Sequence, residues 1–198
     1  MENKTKKEII LATANPHKLE EITAISGYSD VCFSLVEGDF NPEETGTTFE
    51  ENAYIKAFAA AKIMKKPALA DDSGLCVDAL DGAPGLYSAR YADTPQERIN
   101  KLINELKNVS PEKRTAHFIS AMVLVDKDGN ILHKTVGTVE GIIIDEVRGT
   151  NGFGYDPVFY MPKYNQTMAE LPSEIKNSIS HRANALKTML KWISANYK

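Results

Sequence analysis

Cysteine, tryptophan and long apolar runs are what this 198-residue chain has least of. Its two cysteines, Cys32 and Cys76, lie in separate apolar stretches and form no C-x-x-C pair. Such a pattern argues against a disulfide framework or a thiolate metal site, and the expectation is two reduced, buried thiols in a cytoplasmic protein. No stretch approaches the roughly 18 apolar residues of a membrane span. The run Ile9 to Ala14, behind the charged Met1 to Lys7, is too short for a signal peptide. Excess positive charge is also missing: 23 Lys and Arg stand against 27 Asp and Glu, a net charge of −4. A wide basic face for DNA or RNA is thereby disfavoured, while a local basic pocket is still allowed. Internal repeats, low-complexity tracts and linkers are absent, so residues 1–198 read as one domain.

What is present is the composition of a globular protein, 42% hydrophobic and 25% charged, enough to build a core without disulfide or structural metal. Ile9 to Ala12 is a short apolar run, followed by the polar Thr13 to Lys18 and then by Leu19, Ile22 and Ile25 at helical spacing. That is strand, loop and helix. Cys32 to Val36 reads as a second strand. Asp39 to Thr47, with Pro42 and Gly46, reads as a loop. Thr48 is a suitable N-cap, with Glu50 and Glu51 in the first turn, for a helix running to Met64 and stopped before Pro67. Ala68 to Ala70 is expected to be a short buried strand that delivers Asp71, Asp72 and Ser73 into a turn at Gly74. Thr94-Pro95 opens a helix to about Lys107. Thr115 to Val125 and Ile131 to Val147 read as long strands joined by a hairpin at residues 126–130. A glycine-rich loop over 149–157, a strand over Val158 to Tyr160 and a helix from Ser180 to Tyr197 complete the chain. Strands alternate with helices at both ends around a central hairpin, which predicts an α/β fold with a mixed sheet.

Four groups of residues suggest chemistry. Thr13 and Asn15 lie on the first strand-to-helix turn with Lys18 at the helix start. This is either a phosphate cradle or an ordinary turn with a surface lysine. Asp71 and Asp72 follow a buried strand, and one of them could hold Mg²⁺, which is satisfied by one or two carboxylates plus phosphate oxygens. Glu43 or Glu44, or Glu50 or Glu51, could supply a second carboxylate, although such glutamates also serve as a helix-start cluster. Gly152 to Pro157 surrounds Asp156 with glycines and the rings of Phe153 and Tyr155, either to stack on a planar base or to make a tight turn with core aromatics. Finally, Lys176, His181 and Arg182 bring cations to the start of the last helix. That placement conflicts with the helix dipole unless an anion or an acceptor-rich ligand offsets it.

Taken together, T-A-N-P-H-K at 13–18, E-E-T-G-T-T-F-E-E-N-A-Y-I-K at 43–56, A-D-D-S-G-L at 70–75, P-G-L-Y-S-A-R-Y at 84–91, G-F-G-Y-D-P at 152–157 and K-N-S-I-S-H-R at 176–182 resemble the inosine triphosphate pyrophosphatase family. The blocks occur in order along nearly the whole chain. Ala14 and Asn151 depart from the pattern, where glycine is common. The resemblance implies an elongated mixed β-sheet flanked by helices, with two lobes and an active cleft between them, in a homodimer. It implies Mg²⁺-dependent hydrolysis of dITP, ITP and XTP to the monophosphate and pyrophosphate. By motif, Thr13, Ala14, Asn15, Pro16, His17, Lys18 and Lys56 would bind the phosphates. Asp72 would be proton acceptor and metal ligand, with Glu44 (or Glu43) the other ligand. Ser73, Phe153, Gly154, Tyr155, Asp156, Lys176, His181 and Arg182 would bind substrate, and a donor-lined site would favour a 6-oxo purine over adenine. A nucleotide sensor without turnover would need the cations and aromatics but not the paired acids, which favour the enzyme. A nucleic-acid-binding protein is disfavoured by the charge.

Overall fold

The computed structural model describes residues 6–27 and 29–197; Met1 to Thr5 of the charged N-terminal stretch lie outside the described residues. The elements are β1 (Lys7–Leu11), α1 (Pro16–Ser26), β2 (Val31–Leu35), α2 (Phe49–Met64), β3 (Ala68–Val77), α3 (Pro95–Leu106), β4 (Thr115–Val125), β5 (Ile131–Ile143), β6 (Phe159–Met161), β7 (Gln166–Thr167), α4 (Ser173–Ile179) and α5 (His181–Asn196). The strands form one seven-stranded sheet in the order β2-β1-β3-β4-β5-β6-β7. β1 is parallel to β2 and β3, whereas β6 is antiparallel to β5 and β7, so the sheet is mixed and the fold α/β as expected. Among the described residues no helix is long and apolar enough to cross a membrane.

Two compact units divide the chain. The first comprises Met1–Asp72, Ser120–Gly137 and Arg182–Lys198. Within it β1, β3 and β4 are covered on both faces, which is why they read as continuous apolar runs. Side chains alternate along a strand, and the two cores follow that alternation. Ile9, Leu11, Leu69, Met122 and Leu124 pack with Ile22 of α1 and with Leu186, Met189 and Ile193 of α5. Ile10, Ala68, Ala70, Val123 and Val125 pack instead with Ala53, Ala57, Ala60 and Ala61 of α2, whose small side chains let the helix lie close to the strands. The second unit comprises Ser73–Ile119 and Thr138–His181. Its core joins Leu75 and Val77 to Ile99, Leu102 and Leu106 of α3 and to Phe118, Ile143 and Phe159.

Several expectations need correction. β3 does not end at Ala70: it continues through Asp71, Asp72, Ser73 and Gly74 to Val77. The two acids are tolerated inside a buried strand because cationic side chains neutralise both there. β5 stops at Ile143, and Asp145 beyond it turns to the Arg114 guanidinium. Asp156 to Val158 forms a single 3₁₀ turn, so β6 begins only at Phe159. Cys32 is exposed on β2, an edge strand of the sheet, and Cys76 is half-buried, so neither thiol is the buried one expected; both are free. The helix α4 and the two-residue β7 were not anticipated, being too short to carry a periodic signal.

Candidate active site

Three features of the first unit set its polar side chains. Asn15 caps α1: its side-chain oxygen accepts from the backbone N–H of His17 at 3.0 Å and of Lys18 at 3.4 Å, while Pro16 takes the first helical position. The Thr13 hydroxyl accepts from the Asn15 N–H at 3.1 Å, which fixes the turn. Beside this turn lies a cavity of about 330 Å³ lined by Thr13, Ala14, Asn15 and Pro16 and by Leu35, Val36, Asp39 and Phe40. His17 points outward, toward Glu20.

The second feature is β3, which turns Asp71 and Asp72 to opposite faces of the sheet. Asp71, 2% exposed, shares the face of Leu69. It accepts from Lys18 Nζ at 2.9 Å, from Arg182 Nη2 at 3.2 Å and from the Ser120 hydroxyl. Lys18 Nζ also donates to the Asp71 carbonyl at 3.2 Å, so both of its protein partners belong to one residue. Arg182, 1% exposed, extends from the first turn of α5 to Glu21 as well as Asp71. The anions that offset this cation at the helix start are therefore protein carboxylates. Burial alone would raise the Asp71 carboxyl; Lys18, Arg182 and Ser120 reverse this and hold it well below the usual carboxylate range. Burial lowers the Lys18 ammonium, and the attraction of Asp71 does not fully compensate.

Third, α2 brings Lys56 to Asp72. Lys56 Nζ donates to Asp72 Oδ1 at 2.7 Å and to Glu44 Oε1 at 2.7 Å. One turn earlier, the buried Asn52 accepts from the Gly46 N–H at 2.8 Å and so pins the loop that carries Glu44. Glu43 is exposed, Glu50 pairs with Lys134 and Glu51 caps the Thr47 N–H, which leaves Glu44 as the loop acid that faces Asp72. Burial pushes the Asp72 carboxyl above its ordinary value, outweighing the pull of Lys56 and Lys18. The Lys56 ammonium would be lowered by burial, but Asp72 and Glu44 raise it and keep it charged.

These residues fit a hard divalent cation. Two carboxylate oxygens already converge on one cationic nitrogen, and oxygen donors suit Mg²⁺. Among the described residues no group of three or more His, Cys, Asp or Glu forms a cage, so a cation held here needs further oxygens from substrate or water.

In the second unit, Asp156 is 3% exposed and accepts from Lys176 Nζ at 2.5 Å and from the Phe153 N–H at 2.8 Å. The Lys176 ammonium lies 5.0 Å from the centre of the Phe153 ring. Gly152 has φ +73°, and a Cβ there would fall 2.1 Å from Asp156 Oδ2, so only glycine fits beside this pair. Asn151 ties the loop back through its amide to the Leu171 carbonyl at 3.1 Å. Gly154 also has a positive φ, of 62°; the Tyr155 ring is buried in the core and its hydroxyl donates to the Ser88 carbonyl at 3.0 Å. The buried His181 ring stacks on Phe118 at 4.9 Å. Ser73, the residue after Asp72 on β3, is half-buried.

Thr13, Asn15, Lys18, Glu44, Lys56, Asp72 and Arg182 lie in the first unit, and Phe153, Gly154, Asp156, Lys176 and His181 in the second. Sequence reasoning did not single out Glu21 or Ser120, nor the anchoring role of Asp71. The spacing of Lys18 and Glu21, three apart on one helical face, was the available signal for Glu21. Ser120 sits in an apolar strand and gave none.

The Ham1 family model matches residues 9–192 of this chain. A protein of Bacillus subtilis named dITP/XTP pyrophosphatase is 50% identical over 197 residues, covering 96% of this chain and 98% of its own. One of the same name from Listeria monocytogenes is 47% identical over 191 residues, 93% of each chain. Among solved structures, a HAM1 protein from Coxiella burnetii superposes with a TM-score of 0.85 at 42% identity, covering 96% of this chain and 99% of the other. The Ham1 protein of Staphylococcus aureus gives 0.84 at 43% identity, with the same coverage.

Proposed function

This chain belongs to the Ham1 family, and from that membership we propose that it hydrolyses aberrant purine nucleoside triphosphates, dITP, XTP and ITP, to the monophosphate and pyrophosphate. One observation carries the reading: relatives 47–50% identical across more than nine-tenths of the chain bear the name dITP/XTP pyrophosphatase. The geometry of the first unit supports the chemistry. A triphosphate carries about four negative charges, and phosphoryl chemistry depends on positioned cations that spread this charge. Lys18 gains most from an anion, because burial now weakens its ammonium and a phosphate beside it would relieve that penalty. Thr13 to Lys18 at the α1 N-terminus are assigned to the phosphates; a phosphate there would have to take the His17 and Lys18 N–H groups over from the Asn15 side chain that now caps them.

Asp72 accepts the proton of the attacking water. Mg²⁺ is the cation proposed for Glu44 and Asp72; when bound it neutralises phosphate charge and makes water more acidic. Phe153, Gly154, Tyr155, Asp156, Lys176 and His181, with Ser73, are assigned to base and sugar. Phe153 offers a ring for stacking, and Lys176 and the histidine offer donors to a 6-oxo group. Arg182 is assigned to hold Asp71 and Glu21 in the substrate-binding arrangement. A cytoplasmic homodimer, as the family resemblance implies, is the proposed working state.

The test is pyrophosphate release from dITP, XTP, ITP, dATP and dGTP by the purified protein, with Mg²⁺ and with the metal chelated. The expected result is rapid release from the first three, slow release from the others, and loss of activity on chelation. Orthophosphate as the first product, or equal rates on all five, contradicts the reading. Light scattering checks the dimer.

A further inference from the structure

Lys56 occupies the point at which the two proposed metal ligands meet. Its Nζ lies 2.7 Å from Glu44 Oε1 and 2.7 Å from Asp72 Oδ1. Only 12% of its side chain is exposed. A divalent cation would claim the same two oxygens, at a shorter distance than an ammonium can reach. Two cations cannot share that point without strong repulsion in a partly dry site. The ammonium is tethered to α2, so it competes at a high effective concentration.

We propose that Lys56 is the resident cation of the free protein, and that a divalent ion takes up Glu44 and Asp72 as Lys56 exchanges them for a phosphate of the arriving nucleotide. This rests on the metal-assisted reading above and adds an order to it. The free protein holds metal weakly. The triphosphate supplies the ammonium with a new anionic partner and the metal with further oxygens. Metal and nucleotide therefore strengthen each other's binding, and the coupling is reciprocal. Lys56 then acts twice: it bridges the two carboxylates before substrate arrives, and it becomes a phosphate ligand afterwards. A metal ion without nucleotide does not lock the site.

The experiment measures Mn²⁺ binding to the nucleotide-free protein by electron paramagnetic resonance. It compares the wild type with Lys56→Met, Lys56→Gln and the double variant Lys56→Met/Glu44→Gln. Both single variants should bind Mn²⁺ at least about 10-fold more tightly than the wild type while turning over dITP more slowly. A general loss of structure cannot produce those opposite signs. Adding Glu44→Gln should remove the gain. Thermal unfolding with and without Mn²⁺ should report folded variants with a larger metal-induced rise in Tm for Lys56→Met and Lys56→Gln. If neither single variant binds Mn²⁺ more tightly than the wild type, the exchange is overturned. The same holds if the gain survives Glu44→Gln. Wild-type hydrolysis of dITP separates the two failures: retained Mg²⁺-dependent turnover sinks the exchange alone, and absent turnover sinks the proposed function with it.

Discussion

Asp71 and Asp72 are adjacent in sequence, yet they face different partners and call for different experiments. Asp72 faces Glu44 and Lys56 and has a raised pKa. Replacing it with Asn keeps the shape and removes both the base and a charged metal ligand, so Asp72→Asn should fold normally, still bind nucleotide in the absence of metal, and lose about 10²-fold or more in kcat. Circular dichroism and steady-state kinetics with dITP check this; a variant that keeps most of its kcat transfers the base role to another group. Asp71 lies in a buried network with Lys18, Arg182, Glu21 and Ser120. Removing Arg182 leaves two carboxylates without their guanidinium, and breaking a buried charge network costs about 3–5 kcal/mol. Arg182→Ala should therefore lower stability by that order in a urea melt and depress turnover of ITP and ATP alike. An undiminished urea midpoint with a change in base preference alone would return Arg182 to direct base reading. Apart from Glu21, the identities of the cations and acids were legible from sequence, but this partition was not. It depends on residues 111 apart coming together, as Asp71 and Arg182 do.

At the scale of elements, the helix starts were the most legible features because they are written in local chemistry. Thr48 and Thr94 cap α2 and α3 as expected, and Thr94 forms a full capping box with Glu97; α1 starts at Pro16 behind the Asn15 cap, two residues before the Lys18 start expected. The end of β3 was misread for an equally physical reason. Two adjacent acids before a glycine resemble a turn, and only the cations on the flanking helices make them acceptable within a strand. The loop before α2 yields its own test. Gly46 lies so close to α2 that a Cβ would fall 2.7 Å from Asn52 Oδ1 and 2.7 Å from Glu51 Cβ. Gly46→Ala should displace the loop that carries Glu44 and cost roughly 1–3 kcal/mol of stability through overpacking. It should also raise the Mg²⁺ concentration needed for half-maximal activity more than it changes the KM for dITP at saturating metal. Equal effects on both would mean that the loop does not govern the metal position.

At the scale of the whole molecule, composition gave the class and sequence order gave the family. A net charge of −4 spread over 198 residues hides a local concentration of cations, Lys18, Lys56 and Arg182, each set against buried acids in the first unit. A summed charge cannot reveal such a site, because its positive and negative members nearly cancel. The division into two units, each with its own apolar core, was likewise invisible to composition, since β3, β4 and β5 each contribute residues to both. The proposed hydrolysis to monophosphate and pyrophosphate requires that water attack the α-phosphorus of the triphosphate, with pyrophosphate as leaving group. Hydrolysis of dITP in ¹⁸O-enriched water, followed by mass spectrometry of both products, tests it most directly. One ¹⁸O in the deoxyinosine monophosphate and none in the pyrophosphate is the expected result; label in the pyrophosphate, or labelled orthophosphate as the first product, overturns attack at the α-phosphorus.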